Sequence, residues 1–455
     1  MSKKDAFESL AHVHPNAAGL DVGSREIWIA VPPDRDSESV RCFATFTPDL
    51  HALADWLVAC GVDTVALEST GVYWIPVFET LEARGLTVYL VNAGHVKHVP
   101  GRKSDVLDCQ WLQKLHAFGL LSASFRPDAE MCTLRAYLRH RAQLIQHRAP
   151  HILHMQKALQ QMNVQLHHVL SDITGATGQL ILRAITAGER DPVALARLRH
   201  PSCKSSEETI AKALSGNWRD EHLFVLRQAL ELFDAYTAQL AACDAEIERQ
   251  FAAVKPRWEI SEELPDLPPV KPGSKSKNKP AESTRAELYR ITGVDLVAVD
   301  GISASLAQTI LTEIGTDMSK WPTEKHFCSW LRLAPHNDIS GGKVLRSRTL
   351  KTDNRAGQAF RQAAASVTRS DSAFGAFYRR KRAQLGPQQA LVATAHKIAR
   401  TVYYLLKNKA SYHDIGAEAY EGQQRERELV ALQRKAAKLG FALTPKELAP
   451  AEVAA

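Results

Sequence analysis

The sequence predicts a mixed α/β domain followed by an all-α remainder: a mixed sheet with helices, a helical coiled-coil middle, and a helical C-terminal domain. Three observations carry this. Up to residue 125, short apolar runs bounded by Gly, Pro and Ser alternate with helical patterns. From 126 to 260 the strand pattern vanishes and apolar residues recur every seventh position. Five prolines and four lysines then crowd residues 261–283, which read as a solvated linker. Beyond it, 284–410 reads as a basic helical domain and 411–455 as a charged helical tail.

Composition narrows the classes. The chain has 455 residues, 45% apolar and 24% charged, with a net charge of +7. These are values of a globular protein that tolerates a polyanionic partner. No apolar run is long enough to cross a bilayer, and no apolar signal segment follows Met1-Ser2-Lys3-Lys4-Asp5, so a cytoplasmic protein without a membrane partner is expected. Seven cysteines without CxxC spacing argue for reduced thiols rather than a disulfide frame. His95 and His98 lack further ligands for zinc, and no GK[ST] loop offers an ATP site.

Taken in order, Ala17–Val22, Glu26–Val31 and Val40–Phe46 read as strands, turned by Gly23-Ser24 and Pro32-Pro33-Asp34. A helix follows from Thr47, a plausible N-cap, through Leu50, Leu53, Trp56 and Leu57 to Gly61. Thr64–Glu68 is a short buried strand, Val77–Arg84 a helix, Leu86–Val91 a strand and 104–117 a helix. An Asp inside the apolar run Ala17–Gly23 is costly unless paired, hydrogen-bonded or metal-bound. Glu68 ends a second apolar strand, and Asp105 and Asp108, three apart, share one helix face. Singly, each also reads as a cap or a solvated face. Together, Asp21, Glu68, Asp105 and Asp108 would crowd like charges that need a cation, and carboxylates suit Mg²⁺ or Mn²⁺. This order of elements resembles the ribonuclease-H/RuvC nuclease fold, in which acids from the first strand, a central strand and a later helix share one metal site.

In the middle region, Leu138, Ile145, Ile152 and Leu159 repeat every seven residues, as do Leu226, Phe233, Leu240 and Ile247. Pro150 should kink the first series. The seams fit either an intramolecular bundle or a dimer interface with Arg135, Arg139, Arg141 and Arg148 flanking it toward nucleic acid. Farther on, Val297–Ser303 before the helical Ala304–Ile314 fits a helix-hairpin-helix, with Ser303 in place of a glycine, or a plain interhelical turn. A loop at Asn337–Lys343 precedes a basic run, and Ala390–Leu406 reads as a helix.

Leu67–Trp74, the run from Val91 through Arg102-Lys103-Ser104-Asp105 to Leu112, and Val299–Ser340 resemble the DEDD-type insertion-sequence transposases of the IS one-ten / eleven-eleven group. The resemblance implies a RuvC-like N-terminal domain, a serine-bearing transposase domain, and a recombinase cutting and rejoining DNA at element ends and target. It carries the acids to Asp21, Glu68, Asp105 and Asp108 and the nucleophile to Ser340, with Mg²⁺ or Mn²⁺ as cofactor and a bridge-type guide RNA as partner. Arg102, Lys103, Lys343, Arg346, Arg348, Lys351 and Arg355 are the expected nucleic-acid contacts, and a homo-oligomer, dimer or tetramer, would bring two DNAs together. The rival readings are a RuvC-like junction endonuclease that uses water and a non-enzymatic nucleic-acid scaffold.

Overall fold

Ala17–Val22 (β1) is the middle strand of a five-stranded sheet of order β3-β2-β1-β4-β5, with β2 at Glu26–Ala30, β3 at Val40–Ala44, β4 at Thr64–Glu68 and β5 at Thr87–Val91. β1, β2 and β3 form an antiparallel meander, whereas β1, β4 and β5 run parallel. Parallel neighbours need crossovers, and helices supply them: α1 (Thr47–Ala59) leads into β4 and α2 (Trp74–Ala83) into β5. The computed structural model describes residues 11–68, 71–91, 105–259, 267–269, 278–351 and 354–444. It separates into two compact units, Met1–Arg126 and Pro127–Ala455.

In the first unit Leu20, Ile27, Ile29, Val65 and Leu67 enter a core closed by Leu53 and Leu57 of α1 and Leu81 of α2. Phe46, not Thr47, stands at the N-cap of α1, and Pro48 in the first turn needs no amide partner there. The other sheet face is covered by α3 (Asp105–Ala117) through Ala66, Val91, Leu112 and Leu121.

The second unit is mostly helical. Its longest elements, α4 (Ala129–Gln161) and α9 (Asp220–Ala253), bracket α5 (Leu166–Val169), α6 (Ala176–Thr186), α7 (Pro192–Ala196) and α8 (Glu207–Leu214). Helix α4 is continuous through Pro150. The Cys243 thiol faces the Tyr137 carbonyl at 3.8 Å, and Arg148 donates to Thr237 at 3.1 Å, so α4 and α9 pack antiparallel. The second seam is therefore internal: Leu226, Phe233, Leu240 and Ile247 are buried within one chain. Its basic flank is occupied too. Arg141 pairs with Asp244, Arg148 donates to Asn278 at 2.6 Å, and Arg135 and Arg139 meet the buried Glu313 at 3.8 and 2.7 Å. These four arginines bridge neighbouring elements of the second unit.

The C-terminal half continues through α10 (Thr284–Thr292), α11 (Ala304–Ile314), α12 (Glu324–Trp330), β6 (Pro335–Ser340), β7 (Lys343–Thr349), α13 (Arg355–Ser366), α14 (Ala373–Leu385), α15 (Pro387–Asn408) and α16 (Gly416–Lys438). Before α11, Gly301 turns at φ +89°, and a Cβ there would meet the Ala363 carbonyl of α13 at 2.4 Å. Ser303 caps α11 by accepting from the Leu306 amide. Val297–Ser303 is a tightly packed interhelical turn.

Candidate active site

Successive residues of β1 point to opposite sheet faces. Ala18, Leu20 and Val22 enter the core, which leaves Ala17, Gly19 and Asp21 toward α3. Gly19 permits the close contact. A Cβ at this position would lie 2.2 Å from the Gln113 amide nitrogen and 2.4 Å from the Cys109 carbonyl, so the helix backbone rests directly on the strand. Two polar contacts fix its axis: Gln113 Nε2 donates to the Ala17 carbonyl at 3.2 Å, and His116 Nε2 meets Thr64 Oγ1 at 2.9 Å. Burial, then neighbouring His14, push His116 down to about 4, so it is a neutral structural group at pH 7.

With α3 held there, its first turn delivers Asp105 and Asp108 beside Asp21. One carboxylate oxygen from each of the three lies within 4.8 Å of the other two. Asp21 and Asp108 are half-buried and Asp105 is exposed. Two oxygens on one octahedral magnesium stand roughly 3–4 Å apart, so small side-chain rotations suffice for shared ligation. Hard carboxylate donors fit such an ion. Burial first, then the carboxylates of Asp21 and Asp108, push the adjacent Cys109 thiol up to about 12, so it offers no thiolate.

Glu68 follows Leu67, the register partner of Leu20, and so stands level with Asp21 on the neighbouring strand. Its carboxylate is outside the group that converges, so among the described residues the expected four acids form a cluster of three. Arg102 and Lys103 lie outside the described residues, as do His95, His98 and most of the 261–283 stretch.

Ser340 falls in the second unit, and not on a loop. It closes the antiparallel β6–β7 hairpin opposite Lys343, and Gly341 and Gly342 make a two-residue turn. Their φ values, +55° and +77°, are those a twisted hairpin turn demands of both central positions. Every residue of both strands is exposed. A register shift at Asp338/Ile339 leaves Leu345 as the extra residue: Ser340 pairs with Lys343 and Ile339 with Val344, but Asp338 with Arg346 and His336 with Arg348. Paired residues share a face. The bulge thus brings Lys343, Arg346 and Arg348 to the side that carries Ser340, which a regular ladder from this turn would not do. Lys351 and Arg355 follow, both exposed, the latter opening α13.

A family model of DEDD-type IS110 transposases matches residues 18–164, and one described as transposase IS116/IS110/IS902 family matches 295–379, together more than half of the 455 residues. The chain belongs to the IS110 family of transposases. No curated protein matches it. As an IS110-type transposase it is a DNA transposase/recombinase, which sets the scaffold reading aside, and its first match contains all three converging acids. No helix among the described residues is long and apolar enough to cross a membrane.

Proposed function

We propose that this transposase cuts and rejoins DNA with Ser340 as nucleophile, a divalent-metal site built on Asp21, Asp105 and Asp108, and an element-encoded guide RNA. The observation that carries the reading is the convergence of the three carboxylates at the end of β1. Glu68, at the same sheet level, is the fourth member by position. Magnesium or manganese bound there would neutralise the acids and polarise phosphoryl oxygens. Ser340 presents its hydroxyl on an exposed hairpin face, and Lys343, Arg346 and Arg348 on that face would hold the flanking phosphates. Attack by the Ser340 oxygen on a backbone phosphorus would break the bond to the leaving sugar oxygen, which takes up a proton, and leave a phosphoserine bond. A later attack by a sugar hydroxyl releases Ser340 and rejoins the strand. Guidance by RNA rests on the sequence resemblance of the Val91–Leu112 and Val299–Ser340 segments.

The experiment is trapping of a protein–DNA adduct after denaturation. Wild type with Mg²⁺ should give one, whereas Ser340→Ala and wild type in EDTA should give none while DNA binding persists. Recombination by Ser340→Ala near the wild-type rate would replace this reading with the water-using endonuclease. One observation favours that second reading: the acids and Ser340 belong to different compact units.

A further inference from the structure

The second unit contains a cavity of about 840 Å³ at the root of the serine hairpin, walled by Pro335 and Ser347–Thr349 on one side and by α14, α15 and α16 on the others. Five cations line it: Arg348, Arg380, Lys397, Arg400 and Arg427. None of the described lining residues bears a carboxylate; Glu324 meets Arg400 at 3.5 Å from outside the lining. Bringing so many like charges into a concave wall is unfavourable without an anion. Lys397 lies among these cations. Burial first, then Arg380 and Arg427, push its ammonium down to about 8, against a smaller opposing effect of Asp414.

Aromatic and amide groups share the lining with aliphatic and hydroxyl side chains. Lys397 Nζ lies 4.4 Å from the Tyr420 ring centroid and 4.7 Å from that of Phe377, so the ammonium is fixed at the floor. Arg380 donates to the Tyr420 hydroxyl at 3.0 Å. Phe377 and His396 are half-buried in the wall, with Gln389 and Gln424 beside them. Cations for a backbone together with rings for a base are the means by which proteins hold unpaired strands. A duplex keeps its bases stacked inward and could offer this recess only phosphates.

We propose that this cavity binds an unpaired stretch of nucleic acid, DNA or RNA, with a phosphate among the arginines and a base against the Phe377 and His396 rings. Its α15 and α16 walls, with Arg380, lie beyond both family matches, which end at residue 379. The assignment shares Arg348 with the proposed serine face and otherwise stands on residues outside it.

The test is fluorescence anisotropy of the full chain with a short single-stranded DNA, the RNA of the same sequence, the corresponding DNA duplex, and inorganic pyrophosphate as competitor. Phe377→Leu keeps the apolar volume and removes the ring; it should weaken single-strand binding roughly tenfold and leave the duplex unchanged. Arg427→Glu, on the exposed face of α16, should weaken single strands by at least as much and flatten the salt dependence. The strand that loses affinity, DNA or RNA, names the source. Single-strand affinities within twofold of wild type in both variants would overturn the proposal. So would displacement of the strand by pyrophosphate at equal concentration, which would make the cavity a small-anion site, or an equal loss for duplex and single strand.

Discussion

Gly19 shows how one hydrogen in place of a methyl group can set a cluster of carboxylates. Its missing Cβ lets α3 settle on β1, and that depth brings Asp105 and Asp108 to Asp21. Gly19→Ala would drive a carbon into backbone atoms of Cys109 and Gln113, which cannot swing aside as a flexible side chain would. The helix must lift, at a cost of about 1–3 kcal/mol for overpacking. The expected outcome is a lower melting temperature together with weaker Mg²⁺ binding by calorimetry. A variant that melts and binds metal like wild type would show that the acids are positioned by something else. Asp21 itself was legible, because a carboxylate inside Ala17–Gly23 demands a reason. Gly19 was not, since its importance lies in a helix that starts 86 residues later, at Asp105.

Among the elements, the β6–β7 hairpin ties the proposed function to register. Inserting one glycine between Asp338 and Ile339 would supply the partner that Leu345 lacks and regularise the ladder. It would also put Ser340 and Lys343 on the face opposite Arg346 and Arg348, because a one-residue slip inverts a strand. Adduct formation should fall by at least tenfold with the fold intact by circular dichroism, whereas deleting Leu345 keeps every pairing and should be tolerated. Equal activity of the two would remove the face argument. A buried strand announces itself by its apolar residues, as Thr64–Glu68 does. The hairpin strands bury nothing, so only the Gly341-Gly342 turn signalled them in the sequence. The heptad series was equally legible as a seam and equally silent about its partner, since spacing alone cannot tell α4 of the same chain from a second copy. With Leu226 and Leu240 buried in the chain, Leu226→Asp with Leu240→Asp should unfold the second unit, at a cost on the order of 4 kcal/mol or more, and not release folded monomers. Light scattering together with thermal melting separates these outcomes; intact monomers from a larger wild-type assembly would reinstate the dimer seam.

At the scale of the whole molecule, the acids belong to the unit Met1–Arg126 and Ser340 to Pro127–Ala455. A serine hydroxyl is a weak nucleophile at neutral pH and needs activation. On its own hairpin face Ser340 has the cation Lys343 opposite and Asp338 two residues along, which His336 meets. His336 is four residues away, about 13 Å along an extended strand, and it meets Asp338 at 3.6 Å. Under the proposed mechanism Lys343 holds phosphate and activation comes from the acids, so the two units cooperate, within one chain or between chains. That gives a sharp expectation for a residue remote in sequence from the serine. Asp105→Ala leaves Ser340 and its basic neighbours untouched, yet it should abolish the phosphoserine adduct as fully as Ser340→Ala, with DNA binding retained. An adduct formed by Asp105→Ala at the wild-type rate would show that the serine is activated locally and that the acids serve another step. Mixing Asp105→Ala with Ser340→Ala then tests the geometry. Recovery of adduct in the mixture means that the acids of one chain serve the serine of another. Its absence, with both variants folded and mixed assemblies demonstrated, places the complete centre within a single chain.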